Sequence, residues 1–248
     1  MSADRAFWQE RYRQQVGWTA ETRRYLFDQA GINKDARILE AGSGSGALLE
    51  ALRSDGYQQL FGIDIDFPAL LRDTSGSRLA GTDAFHLPFP EHTFGLCICH
   101  FLLLWLDDPL AALIEMKRVC GEGAWVIALA EPDYGGRVDY PPALQRLEEL
   151  QARSLREQGA EPDTGRRLRS LFLQAGLEEV TSGVIGAQWE PGGLDEGAEM
   201  EWEVLERDLA GLVSREELEY LLAADCSARE AGERVLFVPV FYAMGRAG

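Results

Sequence analysis

The residues of this 248-residue chain best suited to chemistry are a row of acids, each closing an apolar run, and three alternating glycines beside the first of them. Arg37-Ile38-Leu39-Glu40 is a short apolar run ending in a carboxylate. Ala41-Gly42-Ser43-Gly44-Ser45-Gly46 follows, and a helical pattern opens at Ala47-Leu48-Leu49-Glu50-Ala51-Leu52. A strand, a tight turn and a helix N-terminus in that order bring main chain against a polar cofactor. Glycine at the turn removes the Cβ atoms that would hold a ligand away. Glu40 then stands at the carboxyl end of its strand, where open α/β sheets bind ligands. Leu60-Phe61-Gly62-Ile63-Asp64-Ile65-Asp66 reads as a second buried strand, with Asp64 22 residues beyond Gly42. That spacing suits a carboxylate accepting from ribose hydroxyls. Leu79 to Asp83 is a third acid-ending strand, and Phe94 to Cys99 a fourth that runs into His100.

Two kinds of nucleotide cofactor compete for the turn. Gly42-x-Gly44-x-x-Ala47 fits the dinucleotide fingerprint of an NAD(P)-dependent oxidoreductase, in which the helix dipole holds a pyrophosphate. Glu40 opposes that reading, because like charges near contact in a partly desolvated site repel. Glu40-x-Gly42-x-Gly44-x-Gly46, taken with the acids at 64 and 83, resembles the motifs of class I S-adenosylmethionine-dependent methyltransferases in their order, over roughly residues 20 to 135. The likeness is to the small-molecule branch built on the type 11 methyltransferase domain. One position departs: Gly95 stands where the family commonly has Asp.

The resemblance implies an α/β fold: a Rossmann-like, doubly wound, seven-stranded, mostly parallel sheet in the order 3-2-1-4-5-7-6, its last strand antiparallel. It implies S-adenosylmethionine as cofactor and S-adenosylhomocysteine as product. Glu40 with the backbone of Gly42 and Gly44 would hold the methionine part, and Gly46 would let the helix start close by. Asp64 would bind the ribose, Ile65 would pack on the adenine, and Asp83 and Ala84 would take the adenine edge. His100 would border the sulfonium. The activity implied is methyl transfer to an O, N, S or C atom of a small molecule; a non-catalytic S-adenosylmethionine-binding protein is the third class left open. His100 and Tyr134 are the candidate general bases. Packing offers each site a plainer role: glycines for close approach, Asp66 as the N-cap of a helix over Phe67-Pro68-Ala69-Leu70-Leu71, Asp83 as a strand end, His100 as a partly buried side chain.

The elements that must position these residues follow from pattern. Residues 1–30 form an aromatic helical prelude in which Trp8 and Tyr12 share a face. It is placed to cap the cleft, which makes Tyr12, Trp18 and Arg23 candidate substrate-contacting residues. Asp108-Pro109 opens a helix, and a fifth strand is expected over Ala124 to Ala130, ending in Glu131-Pro132-Asp133-Tyr134. Helices are expected over 141–158 and 164–175, the second after Asp163. A sixth strand is expected over Glu178 to Trp189, a capping box at Ser214-Arg215-Glu216-Glu217, and a last strand over Arg234 to Met244. Pro239 sits awkwardly in that strand, since a central strand needs its donors. The expectation is therefore a bulge there or a different course for the strand.

Composition is consistent with one methyltransferase domain over 1–248, carrying an acidic helical insertion at 190–233. From Glu190 to Arg234 there are fourteen acids and four arginines, and the whole chain carries a formal charge of −17. That balance argues against a general nucleic-acid surface. A solvated helix pair is the simplest account of the acidic segment; a lid that steers cations is the alternative. Apolar runs such as Phe101 to Leu106 are far short of a membrane span. Cys97, Cys99, Cys120 and Cys226 show no metal-binding spacing, so no metal is expected and a cytoplasmic location fits.

Overall fold

Alternation along the central strands explains the layering. In β1 (Arg37–Ala41) and β4 (Phe94–Cys99), Leu39, Ala41, Cys97 and Cys99 face one core, while Ile38, Leu96 and Ile98 face another. Period-two side chains that are apolar on both sides demand a sheet covered on both faces. A computed structural model describes residues 3–66, 76–186 and 197–248. Its main sheet holds β1, β2 (Gln59–Asp64), β3 (Arg78–Gly81), β4, β5 (Cys120–Pro132), β7 (Glu178–Ile185) and β9 (Val240–Arg246). The order is β3-β2-β1-β4-β5-β9-β7, with β9 antiparallel to both neighbours. This is the sheet that the resemblance implied.

One core is closed by α4 (Pro109–Val119) and α6 (Thr164–Gln174), through Leu113, Met116, Leu168 and Phe172. The other is closed by α1 (Ala3–Trp18), α2 (Ala20–Gln29) and α3 (Ala47–Ser54), through Val16, Leu26, Phe27 and Leu49. Asp108 caps α4, accepting from Ala111 N–H at 3.0 Å. Asp163 precedes α6 without capping it. Its carboxylate instead holds Gly135 N–H and Arg156. The helix expected over Phe67-Pro68-Ala69-Leu70-Leu71, the end of strand six at Trp189, and residues 190–196 of the insertion lie outside the described residues.

The last strand takes a different course from the one expected. Only Val240–Arg246 joins the main sheet. Val235–Phe237 forms β8, which leaves it and pairs antiparallel with β6 (Val138–Tyr140). The break falls at Pro239, which has no N–H to donate and offers only its carbonyl, to Asp133 N–H at 2.8 Å. The fifth strand is also longer than expected, and between Ala128 and Glu131 its register against β9 shifts by one residue.

Residues 138–157 and 198–237 build a cap with its own small core of Leu144, Leu147, Leu150, Trp202, Leu205, Leu209 and Leu221. Its helices are α5 (Arg146–Glu157), α7 (Ala198–Leu209) and α8 (Arg215–Glu230), the last capped by Ser214, which accepts from Glu217 N–H. Beneath the helices runs a buried ionic chain. Asp139 meets Arg137 at 2.5 Å and Arg234 at 2.6 Å; Asp225 meets Arg234 at 2.5 Å, Arg229 at 2.6 Å and Trp202 Nε1 at 2.7 Å. Burial opposes charge on Asp225, yet the donors from Trp202, Arg229 and Arg234 hold its carboxyl below the usual range. The acidic segment is thus only partly a solvated helix pair. Asp225→Ala would take the carboxylate from Arg229 and leave Arg234 sharing Asp139 with Arg137 inside the cap. The expected cost is roughly 3–5 kcal/mol, read as a fall in the denaturation midpoint with red-shifted emission from Trp202. An unchanged midpoint would show the network to be idle.

Candidate active site

The glycine loop is shaped by three left-handed residues, Gly42, Gly44 and Gly46, at φ 72°, 50° and 82°. A Cβ on Gly42 would lie 2.7 Å from Leu102 Cδ1, so a side chain there would have to displace Leu102 at a φ that already favours glycine. Glu40 is 3% exposed at the end of β1, opposite Gly62 of β2. Asp64, closing β2, accepts from Gly44 N–H at 2.7 Å through one oxygen and from Asp66 N–H at 2.8 Å through the other. Each oxygen keeps a further lone pair for a ligand. Glu40, Gly42, Gly44, Asp64 and Ile65 all line one cleft of about 530 Å³, within the range of small-molecule sites. Gly46 sits behind the lining as the N-cap of α3. Asp83 and Ala84 lie beyond it, on the loop after β3; Asp83 accepts from Phe85 N–H at 2.8 Å and Ala84 is buried.

The opposite wall is the turn after β4. Phe101 is left-handed at φ 52° and donates its N–H to Ala130. The next three N–H groups, of Leu102, Leu103 and Leu104, all go to the fully buried carboxyl of Glu131, at 3.0, 2.8 and 3.1 Å. Burial pushes the Glu131 carboxyl up to about 7, against the pull of those three donors. His100 lies just ahead of the turn, partly buried and lining the cleft. Thr19 Oγ1 donates to Val16 carbonyl at 3.2 Å, so its lone pair is what faces His100 Nε2, also at 3.2 Å. The ring is then the Nε2–H tautomer. Burial, with Arg23 nearby, lowers the His100 imidazole to about 3. It is neutral at physiological pH and a weak proton acceptor.

Two lids cover the cleft. From α1, the Tyr12 ring stands over the glycine loop, 4.0 Å from where a Gly44 Cβ would be; Trp8 and Arg11 also line the space. Burial, with Asp64 and Asp66 adding to it, raises the Tyr12 phenol. From the cap, α7 contributes Val204 and Asp208. Arg11 reaches Glu201 of α7 at 2.8 Å, tying one lid to the other. Tyr134 stands between them, its phenol pushed up to about 12 by burial and by Glu201, so it remains a hydrogen-bond donor. Trp18 and Arg23 are not brought into the cleft. Trp18 is 48% exposed under the Arg11 guanidinium, and Arg23 is buried beneath α1 against Asp55.

The methyltransferase domain model matches residues 39–128. An uncharacterized methyltransferase of Schizosaccharomyces pombe is 38% identical over 93 residues, which are 37% of this chain and 33% of that protein. The match to this relative thus spans about a third of its length. A demethylmenaquinone methyltransferase of Roseiflexus is 30% identical over 178 residues, covering 60% of this chain and 71% of that one. The chain belongs to the class I S-adenosylmethionine-dependent methyltransferases. Among solved structures, a Haemonchus contortus phosphoethanolamine N-methyltransferase superposes with a TM-score of 0.56 at 14% identity, over 89% of this chain and 51% of that one; this likeness is one of fold.

The cleft suits the cofactor of a class I methyltransferase on its own geometry. Glu40 and Asp64 face the space beside a backbone cradle, and Ser45, 6% exposed in its lining, has a hydroxyl oxygen with no hydrogen-bond partner among the described residues. A polar ligand would satisfy it. Sequence reasoning missed Glu131, Arg11 and Asp208. Glu131 carried a usable signal, since it closes an apolar strand at the same edge as Glu40 and Asp64. Arg11 and Asp208 carried none, because each is one charge among many on an amphipathic helix.

Two outcomes follow. Glu131→Ala would strand three N–H groups, two of them buried, at about 1–3 kcal/mol each before relaxation; the unfolding free energy should fall by several kcal/mol and cofactor-product binding should fail with it. His100 titrates near 6.5 in the unfolded chain and about 3 in the folded one. The unfolded state therefore binds the extra proton first, and this contribution is whole above pH 6.5 and lost toward pH 3. Glu131 runs the other way between about 4.5 and 7. The measurable quantity is thus a difference: unfolding free energy of wild type minus His100→Gln should shrink as pH falls below 6.5. A constant difference would refute the shift.

Proposed function

We propose that the chain transfers a methyl group from S-adenosylmethionine to an O, N, S or C atom of a small molecule. The observation that carries this reading is the continuity of one cleft from Glu40, Gly44 and Asp64 to a second compartment roofed by α1 and α7. A cleft of about 530 Å³ suits a small acceptor, and the formal charge of −17 disfavours nucleic acid. The Roseiflexus relative, named for a demethylmenaquinone acceptor, is consistent with a small molecule.

Glu40 and the backbone of Gly42 and Gly44 hold the methionine part, Asp64 the ribose, and Ile65 the adenine face. Asp83 and Ala84 complete the adenine edge from the adjoining loop. Bound there, S-adenosylmethionine supplies a methyl group on an already activated sulfonium. The protein's share is alignment and exclusion of water. His100, lowered to about 3, is a weak proton acceptor and Tyr134, raised to about 12, keeps its proton, so they orient the acceptor through hydrogen bonds rather than remove a full proton from it.

Titration calorimetry with S-adenosylhomocysteine and with NADH tests the reading. The first is expected to bind and the second not. Asp64→Asn should weaken the first by roughly tenfold, the effect of a lost charge-assisted bond, and Asp64→Asn with Asp83→Asn by more. Binding of NADH alone would favour the oxidoreductase. Binding of S-adenosylmethionine without turnover on any acceptor would favour a non-catalytic binder.

A further inference from the structure

The acceptor end of the cleft contains a carboxylate that the protein orients but does not neutralise. Asp208, on the α7 turn facing the cleft, accepts from Gln151 Nε2 at 2.9 Å and Gln158 Nε2 at 3.1 Å. Both donors are neutral amides. Gln151 is 2% exposed, and its Oε1 is taken by Arg137, which is itself clamped by Asp139. With its oxygen engaged, the Gln151 amide cannot turn over, so its NH₂ is committed to Asp208. The relay Arg137–Gln151–Asp208 therefore fixes the carboxylate as an acceptor. Among the described residues, the cation that acts on Asp208 is Arg11, and Arg11 is engaged by Glu201 at 2.8 Å and Gln14 at 2.7 Å.

Among the described residues no arginine or lysine bonds to Asp208; Arg11 is held by Glu201, and Arg137 reaches Asp208 only through the Gln151 amide. A partly desolvated carboxylate without a counter-ion is an electrostatic cost that a cationic ligand relieves. Leu104, Trp105, Leu155, Val204 and the Tyr134 ring line the same cleft, surfaces suited to an apolar body and to an ammonium over an aromatic face. The acidic helices of the cap lie just outside and would draw cations toward the mouth.

We propose that Asp208 is the specificity-determining residue of the acceptor site and that the acceptor carries a protonated amine, which this carboxylate binds. The inference rests on the methyltransferase reading for what occupies the other end of the cleft. Burial pushes the Asp208 carboxyl up while the two amides pull it down, as expected for a group lacking its cationic partner.

The test uses the full chain saturated with S-adenosylhomocysteine, so that cofactor binding is scored first and separately. Matched triplets of amine, alcohol and carboxylate on benzyl, phenylethyl and hexyl bodies are then titrated by ligand-observed NMR. Amines should bind roughly tenfold or more tighter than their alcohols, carboxylates least, and added salt should narrow the gap. Asp208→Asn keeps an oxygen for Gln151 and should bring amine and alcohol to parity without changing affinity for S-adenosylhomocysteine. No preference for amines in the wild type, or one that survives Asp208→Asn, overturns the assignment whether or not the variant is fully stable. Failure to bind S-adenosylhomocysteine would instead overturn the parent reading.

Discussion

Glu131 spends its whole carboxyl group on three consecutive backbone N–H groups, those of Leu102, Leu103 and Leu104. A turn leaving a parallel strand at the ligand-binding edge of a sheet has donors with no ladder to join, and a buried donor left alone is costly. One acid at the end of the neighbouring strand satisfies all three at once. The consequence reaches the cofactor loop directly. Leu102, pinned by this bond, is the side chain that comes within 2.7 Å of a Gly42 Cβ position, so the turn and the glycine loop are set against each other across the cleft floor. The one-residue register shift of β5 just before Glu131 places the carboxyl under that turn.

The two lids over the cleft are built from the two ends of the chain. The prelude supplies Trp8, Arg11 and Tyr12; the C-terminal cap supplies Val204, Asp208 and the partner of Arg11. The cap stays in register through the Arg137–Asp139–Arg234–Asp225 chain of charges, which spans residues far apart in sequence. Buried pairs of this kind add little net stability over apolar packing, but losing one member strands the others. Asp139 and Arg234 also lie where β6 meets β8. The departure of the chain from the main sheet at Pro239 is therefore the step that brings cap and charge network together.

The cofactor half was readable because its signals are local. A strand followed by alternating glycines, and acids each closing an apolar run, report backbone conformation and edge position from a few adjacent residues. Pro239 announced that something must change in the last strand, though not that its first half would cross into a second sheet. Trp18 and Arg23 show the limit of reading a helix by residue type: both suit a cleft, yet one faces solvent and the other supports α1 against Asp55. The rotation of α1 against α3 decides this, and packing sets that rotation.

The sequence by itself determined the buried strands, the acids that close them and the left-handed glycines of the loop, since these follow from short-range pattern and main-chain sterics; the sheet order came with the family resemblance. Only the tertiary structure decided which acid holds the floor of the cleft, which acids meet arginines above it and which one meets only amides. Charge balance at a buried point is a sum over groups drawn from distant segments, and no stretch of chain contains that sum before it folds.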